Sequence, residues 1–101
     1  MVKRNAWILL AACLPLQGIA QVAGTPPNGR LLASNCFQCH GTNGKAVSGF
    51  ERLAGMSASE LKSEMAEMKV EKEDGIMGVH AAAYTDAQIA AMAAYFASVK
   101  K

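Results

Sequence analysis

Hydrophobic side chains recur at helical spacing in the middle of the chain, where charged residues separate them. The apolar stripe consists of Leu61, Met65 and Met68. Ser57 and Glu60 stand just before it in the S-x-x-E order of a capping box, in which two side chains satisfy backbone N–H groups at a helix start. The pattern therefore predicts a helix from about residue 58 to Lys69.

A second stripe of the same kind lies near the C-terminus. Its members are Ile89, Met92, Phe96 and Val99. Thr85 and Gln88 precede it in the T-x-x-Q form of the capping box. Lys100 and Lys101 follow, and positive charge is favourable at the negative end of a helix dipole. A last helix is predicted to end at about Val99.

The earlier part of the chain predicts one more helix. Asn28 is suited to an N-cap, and a helix is expected from Gly29 to about Cys39, with Gly41 ending it. Residues 45–55 lack a helical period and predict a loop, as does the stretch from Val70 to Tyr84. With no strand-rich unit, the sequence predicts an all-α fold of three main helices and loops.

The N-terminal segment has the pattern of a secretory signal peptide. Lys3 and Arg4 precede an apolar run over residues 6–14, and small residues allow cleavage after Ala20. The run is short for a stable membrane span. We therefore expect a removed signal at 1–20, a linker at 21–28, a single domain at 29–101 and a periplasmic product. Cys13 also fits a bacterial lipoprotein box, so lipid anchoring there is a second interpretation.

Charge excludes one class of partner. The 101-residue chain has a formal net charge of +2, with ten Lys and Arg against eight Asp and Glu. Removal of Lys3 and Arg4 would leave eight basic residues, equal to the number of acidic ones. Nucleic-acid binding requires a basic face, and none is expected here.

The most specific motif is Cys36-Phe37-Gln38-Cys39-His40, which has the C-x-x-C-H spacing of covalent c-type haem attachment. The two thiols form thioethers with the haem vinyl groups, and the adjacent histidine gives the iron an imidazole nitrogen. The helix that contains the motif is expected to turn one face toward the haem, formed by Leu31, Leu32, Asn35 and Cys36. One haem c is thus the predicted cofactor, with His40 as an axial ligand.

Two other interpretations of the cysteine pair are weaker. A thioredoxin-type redox pair normally lies in a βαβ pattern, which this sequence lacks. A structural zinc site needs four Cys or His ligands, and His40 and His80 are the chain's two histidines.

The sixth iron ligand has several candidates, namely Met56, Met65, Met68, Met77, Met92 and His80. Three of these methionines lie on helix stripes and Met56 directly precedes a helix cap, whereas Met77 is flanked by Gly75 and Gly78 in the predicted loop. Such a loop can present its sulfur freely, so Met77 is the predicted ligand. Methionine opposite histidine raises the potential, and bis-imidazole ligation by His80, the rival candidate, would lower it.

These residues resemble the small class I c-type cytochromes, and among them the cytochrome subunits of sulfide-oxidising flavocytochrome c. The resemblance covers about Gly29 to Lys101 and depends on three stretches besides the C-terminal helix: Cys36 to Thr42, Leu53-Ala54-Gly55, and Ile76-Met77 followed by Tyr84-Thr85-Asp86. It implies a class I cytochrome c-like fold around one haem, thioethers at Cys36 and Cys39, and axial ligands at His40 and Met77. It also implies that the first and last helices cross near Ala33 and Phe96.

The chain departs from the family pattern at two positions. His80 replaces the usual aliphatic residue after the methionine, which leaves ligand exchange possible. Glu51 stands where such proteins often have a proline, whose carbonyl orients the ring of the axial histidine. We expect a backbone carbonyl of the same loop to accept the His40 Nδ1 proton instead.

The sequence therefore predicts a single-haem, one-electron carrier that is not an enzyme by itself. The resemblance implies redox protein partners, among them a flavoprotein subunit, and a place in an oxidoreductase complex. A haem sensor or weak peroxidase is the alternative, because His80 beside Met77 suggests an exchangeable sixth ligand. A haem-free thiol redox protein is a third possibility. We also expect a small core that folds poorly without haem.

Overall fold

The computed structural model describes residues 27–71 and 75–101. The expected signal peptide, the Cys13 lipid site and nearly all of the expected linker lie outside the described residues. Every regular element in the described ranges is helical: α1 (Gly29–Ala33), α2 (Phe37–His40), α3 (Ala58–Val70), α4 (Gly75–Ala83) and α5 (Asp86–Ser98), with short 3₁₀ turns at Ser34–Cys36 and Thr42–Gly44. The all-α prediction is confirmed.

The helix starts follow from the capping residues in the sequence. Asn28 Oδ1 accepts the Leu31 N–H at 3.0 Å and begins α1. Thr85 and Gln88 form a complete capping box at α5, with both reciprocal bonds present. At α3, Ser57 Oγ accepts the Glu60 N–H at 3.2 Å, so half of the predicted box is present. The predictions for α3 and α5 are confirmed to within a residue at their C-terminal ends.

The predicted first helix is present but interrupted. A 3₁₀ turn over Ser34–Cys36 separates α1 from α2, so the segment tightens just where the C-x-x-C-H motif begins. Gly41 ends α2 with a φ of +80°, and a Cβ there would lie 2.9 Å from backbone atoms of Lys45 and Ala46. Glycine is therefore required for the chain to turn sharply after His40.

The prediction of a loop from Val70 to Tyr84 is wrong, because α4 occupies Gly75–Ala83 within it. Two glycines and a polar stretch before them suggested a turn. The last three residues of α4 are alanines, the strongest helix formers, and Ala81 is completely buried. Packing of α4 on α3 thus outweighs the low helix propensity of glycine, and the described chain has a fourth main helix.

The core lies where α1 crosses α5 and where α3 packs on both α4 and α5. Its buried members are Ala33, Leu53, Met56, Leu61, Met65, Ala81, Ile89, Met92, Ala93 and Phe96. The α1–α5 crossing is close, because a Cβ on Gly29 would clash with the Ala91 carbonyl oxygen. Ala33 and Phe96 are 0% and 1% exposed, consistent with the expected crossing.

No helix in the described ranges combines the length and the apolar character that a membrane span requires.

Candidate functional site

The motif residues line an apolar cavity in the described part of the chain. Cys36 ends the 3₁₀ turn, and Cys39 and His40 lie in α2, so one tight helical turn brings all three to the same wall. Cys36 is half-buried and Cys39 is exposed, and neither forms a disulfide. Two thiols and an imidazole are therefore available to one group bound in this cavity.

The imidazole of His40 is held by the main chain. Its Nδ1 lies 2.7 Å from the carbonyl oxygen of Glu51. A carbonyl can only accept, so Nδ1 carries the proton and Nε2 has the free lone pair that binds a metal. Phe50 packs edge-on against the ring, with centroids 6.0 Å apart. The expected loop carbonyl is present, and it belongs to Glu51 itself.

The cavity has a volume of about 200 Å³ and mostly apolar walls. It is lined by Asn35, Cys36, Cys39, His40, Phe50, Glu51, Leu53, Leu61, Glu64, Met65, Met68, Ile76, Met77, His80, Tyr84, Met92 and Phe96. Several of these side chains also belong to the hydrophobic core. Apolar walls, two thiols and an oriented imidazole together match the chemistry of a covalently attached haem.

Both candidate sixth ligands reach this cavity from α4. Met77 and His80 are three positions apart on the helix and therefore lie on neighbouring parts of one face. Met77 is half-buried and packs against the core, whereas His80 is exposed. Met77 is held in a helix and not in the flexible loop expected from the sequence. Its assignment as the iron ligand stays a prediction, with His80 as the rival.

The other methionines differ in how deeply they are buried and in whether they line the cavity. Met65 and Met92 line the cavity and are 7% and 1% exposed, as expected for core side chains on helix stripes. Met56 is 8% exposed and does not line the cavity. Met68 is half-buried and does line it, so it belongs to the cavity wall.

The expected haem-facing side of the first helix is only partly correct. Asn35 and Cys36 line the cavity, but Leu31 is 69% exposed and does not. The 3₁₀ turn changes the direction of the side chains, so residues of α1 and of the motif do not share one face. Leu32 packs against the core instead.

Sequence reasoning missed two polar residues of the cavity, Glu64 and Tyr84. Glu64 lies three positions after Leu61 and four before Met68, on the face of α3 that lines the cavity. That spacing could have identified it. Tyr84 accepts a hydrogen bond from Asn35 Nδ2 at 2.9 Å, a contact between residues 49 positions apart that no local pattern indicates.

Two titratable groups in the cavity wall have shifted pKa values. Burial raises the pKa of the Cys36 thiol. A reactive redox cysteine needs a lowered pKa, so this environment disfavours the thiol redox alternative. Burial also raises the pKa of the Glu64 carboxyl, and the nearby carboxylates of Glu51, Glu60 and Glu67 raise it further.

The zinc alternative also lacks support. Within residues 27–71 and 75–101, no three Cys, His, Asp or Glu side chains come together in a group that could hold a metal ion. A structural zinc site usually has four such ligands.

Comparison with known proteins supports this assignment. A family model described as cytochrome c matches residues 28–100, which include every residue of the cavity wall. The chain is also 31% identical over 78 residues to the cytochrome subunit of sulfide dehydrogenase from Chlorobaculum tepidum, covering 76% of this chain and 71% of that relative. The match implies a covalently bound haem c.

Proposed function

The chain belongs to the cytochrome c family as a class I haem electron carrier, and we propose that it transfers single electrons in the periplasm. The observation that carries the proposal is the convergence of Cys36, Cys39, His40 and Met77 on one apolar cavity. The signal-peptide pattern at residues 1–20 supports the periplasmic location.

Each residue has a distinct part in holding the cofactor. Haem c supplies reversible one-electron chemistry when bound. Cys36 and Cys39 would supply the two thioether sulfurs, and His40 would bind the iron through Nε2 because the Glu51 carbonyl holds Nδ1. Met77 would supply the second protein ligand to the iron. The apolar wall excludes water, which keeps the local dielectric low and favours the less charged, reduced state of the site.

One-electron transfer requires no substrate at the iron. We therefore propose that the chain alone is a carrier and not an enzyme. Its relative from Chlorobaculum tepidum is named as a subunit of sulfide dehydrogenase. From that similarity, together with the resemblance to the cytochrome subunits of flavocytochrome c, we propose that the electron donor is a sulfide-oxidising flavoprotein and that this chain is its haem subunit.

Optical spectra test the ligation. Protein made with c-type maturation machinery should give a low-spin reduced spectrum, with haem that survives acid-organic extraction. A weak near-red band in the oxidised protein should report methionine on iron. Covalent low-spin haem without that band would assign the site to His80, and absence of covalent haem would overturn the proposal.

The partner is tested separately. The holoprotein should be reduced by sulfide only when the flavoprotein subunit is present, and the two should elute together on gel filtration. Reduction of this protein at equal rates without the flavoprotein would contradict that partner while leaving the carrier function in place.

A haem sensor or weak peroxidase is the second candidate, and one observation favours it. His80 lines the same cavity as Met77, from the same helix, so an alternative ligand lies close by. Rapid binding of CO to the reduced protein at neutral pH would support this function. A reduced protein that does not bind CO would exclude it.

A further inference from the structure

The helix that carries both candidate ligands has few anchors in the core. Ala81 is the one buried residue of α4, and two of its large apolar side chains, Ile76 and Val79, are 68% and 66% exposed. Met77 is half-buried and meets the core from the cavity side. Packing of Ala81 and Met77 keeps α4 against the core, but these two side chains cover only a small part of the helix. Its position therefore depends strongly on what holds its ends.

Tyr84 holds the C-terminal end of α4. It directly follows the helix, and its N–H donates to the Ala81 carbonyl at 3.4 Å. Its hydroxyl oxygen accepts a hydrogen bond from Asn35 Nδ2 at 2.9 Å. Among bonds between described residues, this is the one side-chain hydrogen bond that joins residues 75–84 to a distant part of the chain.

The partner residue is placed at the haem-attachment motif. Asn35 lies in the 3₁₀ turn directly before Cys36, so the bond joins the covalent attachment segment to the ligand-bearing helix. Both side chains line the cavity. The bond is exposed, with Asn35 exposed and Tyr84 half-buried. A group that fills the cavity would cover its cavity side and exclude part of the water that competes for it.

We propose that Asn35 and Tyr84 are positioning residues that hold α4 against the attachment segment and so keep Met77 bound at the sixth position. This inference rests on the proposed function, because it assumes that Met77 binds iron. Without the bond, α4 can move away from Cys36, and an outside ligand or His80 can replace Met77 more readily.

The test uses Tyr84→Phe in the ferric holoprotein, with imidazole as the competing ligand. A single hydrogen bond corresponds to roughly a two- to tenfold change in an equilibrium constant, so the apparent imidazole affinity should rise by that factor. The near-red methionine band should weaken, and its loss without imidazole would show that Met77 had left the iron. Either change supports the proposal.

Tyr95→Phe is the matched control. Its hydroxyl donates to Asn43 Oδ1 at 2.6 Å, a contact between residues 52 positions apart, and Tyr95 does not line the cavity. Like Tyr84→Phe, the control removes a phenolic hydroxyl group. It should lower the melting temperature without changing imidazole affinity. If Tyr84→Phe leaves the affinity unchanged, or if both variants change it equally, the positioning role is wrong.

Asn35→Ala provides a second route should Tyr84→Phe fail to fold. It removes the hydrogen-bond donor and should raise imidazole affinity to a similar extent. The imidazole affinity of the double variant, Asn35→Ala with Tyr84→Phe, should be no higher than that of either single variant. Additive effects in the double variant would contradict the proposal. Wild-type protein that lacks covalent haem or the methionine band contradicts the proposed ligation itself, and this is seen before any variant is made.

Discussion

At the scale of single residues, the site contains one ligand that the main chain holds and another that lies on a helix with few core contacts. His40 is fixed by a 2.7 Å hydrogen bond to a backbone carbonyl. Met77 is carried by a helix with one buried residue. The ligand on the histidine side is therefore the more rigid, and substitutions on the α4 side should change ligation first.

Met77→Ala should keep the covalent haem and lose the near-red band, because attachment depends on the two thioethers and not on the sulfur. The reduction potential should fall, since methionine ligation raises it. The measurements are an optical redox titration and acid-organic extraction.

Met56→Ala is the control for Met77→Ala. Met56 is 8% exposed and does not line the cavity, so its truncation should lower the free energy of unfolding by about 2–5 kcal/mol with an unchanged spectrum. A normal near-red band and potential in Met77→Ala would show that the ligand is another residue.

Glu64 gives a prediction about pH. Burial and neighbouring carboxylates raise its pKa, so the folded protein binds this proton more tightly than the unfolded chain does. Its contribution to stability is therefore present at acid pH, below the ordinary pKa of a glutamate, and is lost as pH rises through the raised value. Glu64→Gln should be more stable than wild type at neutral pH, with the difference vanishing at acid pH.

Denaturant unfolding of the holoprotein across this pH range measures the Glu64 effect. Glu71→Gln is the control, because Glu71 is an exposed carboxylate at the end of α3 and does not line the cavity. If the free energy of unfolding changes with pH in the same way in both variants, the cavity environment does not cause the Glu64 effect.

At the scale of elements, close approach of helices fixes the fold. Gly29 faces the Ala91 carbonyl at the α1–α5 crossing, where a Cβ has no room. Helix pairs that approach this closely depend on small residues at the contact, and Ala33 of α1 and Ala93 of α5 are both 0% exposed in the core. The crossing therefore tolerates added volume poorly.

Gly29→Ala should lower the free energy of unfolding by about 1–3 kcal/mol, because the added methyl group forces the helices apart. Chemical denaturation of the holoprotein is the measurement. Arg30→Ala, at an exposed neighbouring position, should change it by no more than about 0.5 kcal/mol. If Gly29→Ala is as stable as Arg30→Ala, the crossing is looser than the structure indicates.

The sequence pattern predicted elements wherever a local rule was sufficient. Apolar spacing and capping residues located α3 and α5, because both act within a few positions along the chain. The α4 helix was missed because its stability comes from packing of Ala81 against distant residues. The Asn35–Tyr84 contact was missed for the same reason, since it joins positions 49 apart. The haem motif could be identified from the sequence because covalent attachment requires fixed residue types at a fixed spacing.

At the scale of the whole molecule, the core and the cofactor site share their walls. Leu53, Leu61, Met65, Met92 and Phe96 are core residues that also line the cavity. One face of each therefore packs on protein and the other faces the space that the haem occupies. Filling that space completes the core, and small domains have little other burial to replace it.

A variant that carries Cys36→Ala and Cys39→Ala should therefore fold poorly. We expect it to lack a cooperative thermal transition and fixed near-ultraviolet circular dichroism, since the shared core side chains lose packing on one face. Met77→Ala, which retains covalent haem, is the control and should still melt cooperatively. A native-like, cooperative melt of the haem-free double variant would show that the protein core is sufficient alone.

The hydrogen bond from His40 to Glu51 has a further consequence for how the protein can vary. Because the acceptor is a main-chain oxygen, any residue at position 51 supplies it, and the side chain there is not required to orient the imidazole. The main chain therefore sets the orientation of the His40 ring, and the side chain at position 51 independently sets the local charge. A proline at this position would stiffen the loop, whereas Glu51 adds a negative side chain to the cavity wall. Evolution can thus adjust the redox potential at this position while leaving the geometry of iron coordination intact.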